Sequence, residues 1–353
     1  MKRKGNLYWK ICTIENISKA YDEVCSRLRN ENVVENIKEH RATNIYNIYK
    51  TLSNKEYVPG KYHMFVIKEP KERNIVNQNP KDKIVNHLVS SQILKPVLFP
   101  CLIDQNVASR PNLGTSAGIC FQHQYMQECK QKYGTYYILK CDLHHFFASI
   151  NHQILKEKLE KKIKDKDALK IIFDIIDSNV QMDEKGKIID RENGLYIGLM
   201  TSQYLAIFFL NDLDHFIKEE LKIKYYVRYQ DDFILLHPSK KYLKECLIKI
   251  KEFLTSEKLE LNPTKTRIYK STNNYAFLGR NIKGKYIKYR NVRRKLRRRK
   301  KDYQNELISL FSLMSSKNNY LGIIKKFNQN KTKNILHNNY FYLKYNFLHK
   351  FFN

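Results

Sequence analysis

Two adjacent aspartates, Asp231 and Asp232, lie between two apolar and aromatic segments in the stretch YYVRYQDDFILLH, residues 225–237. The flanking Tyr, Val, Phe, Ile and Leu residues are typical of half-buried strands, so the stretch predicts a β-hairpin with carboxylates at its tip. One interpretation is structural, because aspartates in turns often accept hydrogen bonds from nearby backbone groups. The other is chemical, because paired carboxylates can hold divalent cations.

A third carboxylate, Asp142, stands at the junction between the strand-like segment YYILKCD and a following helical segment. If that strand and the hairpin are neighbours in one sheet, the three aspartates lie close together. Such a cluster of like charges is unfavourable unless cations lie between the carboxylates, and it therefore predicts bound Mg²⁺. Two such ions, about 3.5–4 Å apart, activate an attacking 3′-hydroxyl and stabilise the leaving oxygens of phosphoryl transfer.

The two hairpin aspartates are not equivalent, because successive residues of a strand face opposite sides of the sheet. We expect Asp142 and Asp231 to be the bridging ligands of two Mg²⁺ ions and Asp232 to be a weaker or single-metal ligand. Two further acidic residues, Asp212 and Asp214 in NDLDHF, are interpreted as surface or capping groups on a helix.

The composition indicates a globular protein that binds a polyanion. The 353 residues include 65 Lys and Arg against 35 Asp and Glu, a formal charge of +30, and 42% are hydrophobic. This charge favours nucleic acid or an anionic membrane surface as the partner. No apolar run reaches about 18 residues and the basic N-terminus lacks a hydrophobic segment, so neither membrane spanning nor secretion is expected. Seven scattered cysteines without a CxxC pair indicate thiols in a reducing, cytoplasmic setting.

The elements that must position the aspartates follow from hydrophobic periodicity. Residues 1 to about 55 are predicted to be helical. A strand, a basic turn, a second strand and a helix follow in residues 62–94, and Asp142 ends a further strand. A long helix precedes the hairpin, and another helix and two short strands follow it. This order predicts an α+β fold in which helices pack on an antiparallel sheet.

Several motifs resemble those of reverse transcriptases and occur in that family's order. YQDD resembles the YxDD box, and LKCDLHHFFASINH resembles the first aspartate motif. IKEPKERNI is similar to the fingers motif, SRPNLGTSAG to the segment before the palm, and GLYIGLMTSQ to the glycine-containing motif before the palm helix. LELNPTKT and FLGRNI resemble the lysine motif and the palm-to-thumb hairpin. The resemblance covers roughly residues 55 to 300.

Within the family, IGLMTSQ is similar to the IGNxTSQ pattern of diversity-generating-retroelement enzymes and of related bacterial phage-defence enzymes, which are relatives of retron and group II intron reverse transcriptases. Leu199 stands where that pattern has asparagine. The resemblance implies an RNA-directed DNA polymerase that copies an element-encoded RNA for mutagenic retrohoming or phage defence. Its implied partners are a structured non-coding or element-encoded RNA template, a DNA or RNA primer, dNTPs and a possible accessory protein, with no membrane.

The same resemblance implies a right-hand polymerase fold with an antiparallel palm sheet backed by helices. The expected divisions are an N-terminal helical extension at 1–55, fingers at 56–135, a palm with finger insertions at 136–282 and a basic helical thumb at 283–353. The polybasic run at 284–301 would grip a template–primer duplex through its phosphates, although such runs are also common as solvated segments. We expect no room for an RNase H or endonuclease domain after the thumb.

The site residues implied by the resemblance fall into three groups. The catalytic residues are Asp142, Asp231 and Asp232, and Leu143 joins them as a metal ligand. The dNTP-binding residues are Lys68, Arg73, Phe147, Ile197, Gly198, Gln203 and Lys265. The nucleic-acid-binding residues are Arg110, Arg293, Arg294, Arg297 and Arg298.

The implied roles follow from the chemistry of each side chain. Lys68 and Arg73 would hold the incoming triphosphate, and Lys265 would approach the leaving pyrophosphate. Phe147 would lie under the sugar and exclude a 2′-hydroxyl. Ile197 stands where most reverse transcriptases carry glutamine, so one polar check on nucleotide placement would be missing. The structural alternatives are solvated surface charge for the basic residues and core packing for Phe147 and Ile197.

Gly198 would let the main chain approach the base pair, or it only marks the approach to a helix. Arg110 would contact the template or a phosphate, or it forms a structural ion pair. The competing function is a non-catalytic polymerase-fold RNA-binding protein, such as a chaperone or splicing helper, which has no use for three repelling carboxylates. A basic membrane-surface protein is disfavoured because neither terminus carries an amphipathic basic helix.

Overall fold

A computed structural model of the chain describes residues 2–28, 35, 37–67, 73–182, 188–278, 280–282, 290–307 and 313–314. The chain divides into two compact units, one that ends at Gly279 and one that begins at Arg280. The first unit carries the three aspartates.

Several helices of the first unit begin at a side-chain cap. Thr13, Asn79, Asn151, Asp165 and Ser239 each accept a hydrogen bond from a main-chain N–H in the first turn of the helix that follows. The longer helices are α1 (Ile14–Cys25), α2 (Arg41–Ser53), α3 (Pro80–Leu88), α4 (Thr115–Tyr133), α5 (His152–Glu160), α6 (Lys166–Asp177), α7 (Met200–Phe209) and α8 (Lys240–Ser256). Shorter helical segments are Tyr8–Ile11, Val89–Leu94, Lys95–Leu98, Phe99–Cys101, Phe146–Ser149, Asn211–His215 and Phe216–Glu220.

All strands of the first unit except the last, β9, form one central sheet and two small hairpins. The strands are β1 (His63–Ile67), β2 (Arg73–Asn77), β3 (Tyr137–Asp142), β4 (Gln181–Met182), β5 (Ile188–Asp190), β6 (Tyr225–Tyr229), β7 (Asp232–His237), β8 (Arg267–Lys270) and β9 (Tyr275–Phe277). The central sheet is antiparallel with the order β6-β7-β3-β8, and β1 pairs with β2 as β4 does with β5. Asp142 ends β3 and QDD forms the β6–β7 turn, so both predictions for these segments are confirmed.

Helices cover the central sheet and bury its strands. On one side α8 packs against β3 and β7, with Cys246 and Ile250 in the same buried cluster as Leu139 and Leu235. α4 packs against β6 and β7. α7 is apolar on all sides from Tyr204 to Phe209 and is buried there, as expected for a helix segment that neighbouring elements enclose. In the ranges described, no helix is both long enough and apolar enough to cross a bilayer.

One segment outside the sheet lies alongside β6. Arg228 N–H donates to the carbonyl oxygen of Gln105 at 3.0 Å, and Val107 N–H donates to the carbonyl oxygen of Arg228 at 3.0 Å. Asn106 therefore forms a parallel bridge with Arg228. The chain between the short helix Phe99–Cys101 and α4 is fixed to the strand that leads into the hairpin turn.

The second unit contributes a short strand and a basic helix. These are β10 (Arg280–Ile282) and α9 (Arg290–Gln304), and nine of the 15 residues of α9 are Arg or Lys.

Candidate active site

The three aspartates meet at one end of the central sheet. Asp142 is the last residue of β3, and the register places it directly opposite Asp232, the first residue of β7. Asp231 lies in the turn just before Asp232, and its carbonyl oxygen accepts a 3.2 Å hydrogen bond from Leu143 N–H. The end of β3 and the hairpin turn are thus joined, which brings the predicted catalytic residues together.

Two lysines approach these carboxylates. Lys265 Nζ lies 2.6 Å from Oδ1 of Asp142, and its side chain is 49% exposed. Lys140 Nζ lies 2.9 Å from Oδ1 of Asp232, and its side chain is only 9% exposed. Lys265 is a predicted dNTP-binding residue, whereas Lys140 was missed. The signal for Lys140 was its position in a buried strand, two residues before Asp142 and therefore on the same face.

The loop that carries Lys265 is fixed to the end of β3. Asn262 N–H donates to the carbonyl oxygen of Asp142 at 2.7 Å, and His144 N–H donates to the carbonyl oxygen of Glu260 at 2.8 Å. The Asn262 side chain in turn accepts from Thr264 N–H at 3.1 Å and from Lys265 N–H at 3.3 Å. The main chain at Lys265 is therefore held while its long side chain extends toward Asp142.

Burial raises the pKa of both hairpin aspartates. For Asp231 burial is the largest cause, and the nearby charge of Asp142 adds to the rise in pKa. For Asp232 burial raises the pKa to about 6, although the neighbouring Lys140 opposes the rise. The charged forms of both carboxyls are therefore disfavoured until a further cation approaches.

The chemistry of these donors fits Mg²⁺. The groups that could hold the ions are the carboxylates of Asp142, Asp231 and Asp232 and the carbonyl oxygen of Leu143, all of them hard oxygen ligands. The raised pKa values of Asp231 and Asp232 also fit, because a bound cation restores the charged forms. The three carboxylates do not form a ready-made cage: among the residues described, no three Asp, Glu, His or Cys side chains are grouped to hold one ion.

A buried ion pair supports the hairpin turn. Arg228 and Asp214 are both 0% exposed. The guanidinium donates from Nε to Oδ1 of Asp214 at 2.7 Å and from Nη2 to Oδ2 at 2.5 Å. Arg228 also donates from Nη1 to the carbonyl oxygen of Gln230 at 3.0 Å. The ion pair is thus connected to the main chain of the residue that precedes Asp231.

The interpretation of Asp214 as a surface or capping group is therefore wrong. Its carboxylate also accepts from Tyr226 Oη at 2.6 Å, deep in the core. Asp212, two residues earlier, has a side chain that is 53% exposed. The missed signal was Arg228, because a guanidinium inside an otherwise apolar strand requires a buried anion.

A polar relay connects the turn to α7. Gln230 has a left-handed backbone with φ 55°. Its side-chain amide donates to Ser109 Oγ at 3.0 Å, and that hydroxyl donates to Oε1 of Gln203 at 3.2 Å. Gln203, a predicted dNTP-binding residue, is exposed on α7 and is thereby linked to the aspartate turn.

Gly198 and Ile197 lie against β2. Gly198 has φ +120°, and a Cβ there would be 2.5 Å from the carbonyl oxygen of Val76. Val76 N–H donates to the carbonyl oxygen of Ile197 at 2.9 Å. The close neighbour of Gly198 in this structure is thus strand β2. Ile197 is 36% exposed, and Arg73, the first residue of β2, is also exposed.

The remaining predicted residues have different environments. Phe147 is half-buried beside the buried Phe146, with ring centroids 5.7 Å apart. Arg110 donates from Nη1 to the carbonyl oxygens of Ile103 at 2.7 Å and Asn106 at 3.0 Å, so its guanidinium holds its own loop. Lys68 lies outside the described residues.

The predicted nucleic-acid-binding arginines near the C-terminus all belong to α9 of the second unit. Arg297 and Arg298 are exposed there. The side chains of Arg293 and Arg294 lie outside the described part of the structure.

Comparisons with known proteins point to one family. Residues 66–282 match the family of reverse transcriptases (RNA-dependent DNA polymerases). A COX1/OXI3 intron 2 protein of Saccharomyces cerevisiae is 25% identical to the chain over 145 residues, which are 41% of this chain and 16% of that protein.

Among solved structures, telomerases have a similar fold. Telomerase of Candida albicans, in complex with a fragment of telomeric RNA, is 15% identical with a TM-score of 0.50, over 65% of this chain and 46% of that chain. An apo telomerase of Candida tropicalis, truncated from its C-terminal domain, is 17% identical with a TM-score of 0.50, over 65% of this chain and 54% of that chain. The Candida tropicalis telomerase in complex with a fragment of telomeric RNA is 15% identical with a TM-score of 0.51, over 80% of this chain and 55% of that chain.

These alignments span about half the length of the telomerase chains and 16% of the intron protein. At such identities the telomerase likeness shows the fold alone. That fold is a right-hand polymerase fold of mixed helix and sheet, with an antiparallel sheet at its centre.

Proposed function

The chain belongs to the reverse transcriptase (RNA-dependent DNA polymerase) family, and we propose that it is an RNA-directed DNA polymerase that adds dNTPs to a 3′-hydroxyl. The observation that carries the proposal is the pairing of Asp142 with Asp232 across β3 and β7, with Asp231 in the adjoining turn. This arrangement supplies carboxylates for a two-metal phosphoryl transfer.

In the proposed mechanism, Asp142 and Asp231 would hold the two Mg²⁺ ions. When bound, these ions favour deprotonation of the primer 3′-hydroxyl and neutralise charge on the leaving pyrophosphate. Lys265, whose side chain is half exposed, leaves Asp142 for the triphosphate as the nucleotide binds. Arg73 and Lys68 take the outer phosphates through charge-assisted hydrogen bonds.

Other residues orient the nucleotide in this proposal. The half-buried ring of Phe147, in the short helix Phe146–Ser149 that follows Asp142, acts as the barrier to a 2′-hydroxyl. Gln203 and Gln230, joined through Ser109, line the approach to the aspartates. Gly198 keeps the segment before α7 close to β2, because any side chain there would collide with Val76.

We further assign the segments 56–135, 136–282 and 283–353 to fingers, palm and thumb, and 1–55 to an N-terminal helical extension. The template is a structured or element-encoded RNA, copied for mutagenic retrohoming or phage defence. Ile197 supports error-prone copying, because an alkyl group offers no hydrogen bond to an incoming nucleotide. Sequencing the nucleic acid that copurifies with the protein, together with cDNA made on that RNA, identifies the template and measures the error rate.

The test of the proposed activity is the Asp231→Asn variant. It keeps the shape of the side chain but removes a charge that the metal ions require, so primer extension on an RNA template should fall by several orders of magnitude. Binding of RNA, which depends on the basic surface, should remain.

Asp104→Asn is the matched control, since it removes an exposed carboxylate elsewhere in the first unit, and it should extend primers like the wild type. Substantial extension by Asp231→Asn with Mg²⁺ as the sole metal would exclude the three-carboxylate site. RNA binding without extension by the wild type would favour the non-catalytic RNA-binding protein.

A further inference from the structure

Lys140 is a buried cation inside the carboxylate cluster. It lies on β3 opposite Ile234, one residue pair away from the Asp142–Asp232 pair. Its Nζ is 2.9 Å from Oδ1 of Asp232, and the two side chains are 9% and 20% exposed. Because residues two apart in a strand share a face, Lys140 and Asp142 point to the same side of the sheet.

The two lysines of the cluster differ in how easily their ammonium groups can separate from the paired aspartates. Lys265 comes from the loop before β8 and has a side chain that is 49% exposed, so solvent can accept its ammonium group. The side chain of Lys140 is enclosed, and a buried ammonium without an anion is strongly unfavourable. Lys140 therefore stays with Asp232 when Lys265 is drawn away by another anion.

This difference divides the three carboxylates into two classes. Asp142 becomes available once Lys265 moves, and Asp231 has no lysine within ion-pair distance among the described residues. Asp232 remains engaged by Lys140. The lack of a three-carboxylate cage in the described ranges agrees with such a division.

We infer that Lys140 is a positioning residue whose ion pair keeps the Asp232 carboxylate from binding metal. Asp142 and Asp231 alone therefore take the metal ions, and the metal affinity of the free enzyme is low. The inference rests on the proposed two-metal function. In this inference Asp232 differs from the other two aspartates, because it pairs with the Lys140 ammonium group beside the metal ligands.

The first consequence concerns Lys140→Met, which keeps most of the side-chain volume and removes the charge. Asp232 is then released as an additional metal ligand, and the dissociation constant for Mn²⁺ should fall by about tenfold, since affinity rises with the number of charged ligands. Lys140→Arg keeps the ion pair and should leave the Mn²⁺ affinity near that of the wild type.

A double-mutant cycle separates this action from a general effect of charge. Loss of either lysine removes a positive charge that repels a cation, and Lys265→Met should tighten Mn²⁺ binding by a similar factor in the wild-type and the Asp232→Asn backgrounds. Lys140→Met should tighten it clearly more in the wild type than in Asp232→Asn, because the carboxylate that Lys140 occupies is absent from the second background and only the general effect of charge remains.

The measurement is the free Mn²⁺ signal in electron paramagnetic resonance, recorded on the full chain without RNA, primer or dNTP. Thermal unfolding of each variant checks its fold. If Lys140→Met alone unfolds, the Lys140→Met/Asp232→Asn protein, which lacks both buried charges, is compared with Asp232→Asn. Tightening of about tenfold or more in that pair would overturn the inference, and a clearly smaller change, no larger than that of Lys265→Met, would support it.

Two other outcomes separate the inference from the proposed function. Unchanged Mn²⁺ affinity in folded Lys140→Met, or no Mn²⁺ binding by the wild type, would overturn the inference whether or not primers are extended. A wild type that fails to extend primers but shows the expected cycle would overturn the proposed polymerase activity and leave the inference on metal binding intact.

Discussion

At the scale of single residues, Phe146 and Phe147 are neighbours with different environments. Phe146 is 3% exposed and belongs to the core, whereas Phe147 is only half-buried. A core residue needs no exposed edge, so the partial exposure of Phe147 agrees with a ring that meets a nucleotide sugar.

We therefore expect Phe147→Val to admit ribonucleotides. The preference for dNTPs over NTPs should fall by about tenfold or more, which corresponds to about 1.4 kcal/mol or more in the transition state. The measurement is kcat/KM for dCTP and CTP on one primer and template. Phe146→Leu is the matched control and should keep the sugar preference. An unchanged preference in folded Phe147→Val would assign Phe147 to the core.

The raised pKa values of Asp231 and Asp232 predict how Mg²⁺ bound beside them stabilises the protein. Without metal, the folded-state pKa of about 6 lies above the ordinary value of 3.8, so the contribution of Asp232 to stability is present at low pH and is lost as the pH rises through 6. The pKa of Asp231 is also raised, so its contribution has the same sign.

Mg²⁺ should consequently raise Tm more at about pH 7.5 than at about pH 4.5, where the Asp232 carboxyl is largely protonated and protons compete with the cation. The measurement is thermal unfolding in Mg²⁺ and in EDTA across that range, with Asp231→Asn as the control that should respond less. An equal shift at both pH values would place the stabilising metal elsewhere.

At the scale of elements, the β6–β7 turn depends on a partner from another part of the chain. The Asp214–Arg228 pair connects the helical segment Asn211–His215 to β6, and Arg228 then holds the carbonyl oxygen of Gln230. The position of Asp231 is therefore set partly by an ion pair that is fully buried.

Asp214→Asn should destabilise the protein by about 3–5 kcal/mol, because it leaves the Arg228 charge buried without its anion. Asp212→Asn is the matched control two residues away. Because the Asp212 carboxylate is exposed and its partner Lys158 also contacts Glu257, this change should lower the free energy of unfolding by less than about 1 kcal/mol. Urea unfolding measures both.

A second readout reports on the turn itself. At a temperature where Asp214→Asn remains folded, kcat should fall while the KM for dNTP changes little, because the aspartate geometry is altered and not the nucleotide contacts. A stability loss for Asp214→Asn no larger than that of the control would contradict the role of the buried pair.

The segments near the aspartates were predictable because their signals are local. The alternation and residue types around QDD and before Asp142 specify strands, and they met in one sheet as expected. The Asp214–Arg228 pair was not predicted, because the long helix expected before the hairpin is interrupted near Leu210. The next helical segment, Asn211–His215, buries Asp214, and residue spacing does not reveal this interruption. The Lys140–Asp232 pair likewise depends on strand register.

At the scale of the whole molecule, the charge of +30 includes a dense basic segment in α9. Each phosphate contact releases counterions, so binding of a template–primer duplex should weaken steeply with salt. Replacing Arg293, Arg294, Arg297 and Arg298 with Gln should make the slope of log K against log salt shallower by up to about 3.6.

The control removes the same charge from α8, where Lys240, Lys241, Lys244 and Lys251 are exposed. Their replacement with Gln should change the salt dependence much less if α9 is the part that contacts the duplex. Fluorescence anisotropy of a labelled duplex over a salt series measures both slopes. Equal slopes for the two variants would indicate a diffuse charge effect and no specific role for α9.

The segment beside β6 also affects association between chains. The sheet order leaves β6 and β8 at the two margins, and an open margin presents unpaired N–H and carbonyl groups to which a second chain can add a strand. On β6, Gln105 and Val107 already occupy the groups of Arg228. On β8, the exposed charges of Arg267 and Lys270 disfavour pairing. On the β6 margin, the segment that blocks pairing at Arg228 thus lies next to the turn that carries Asp231.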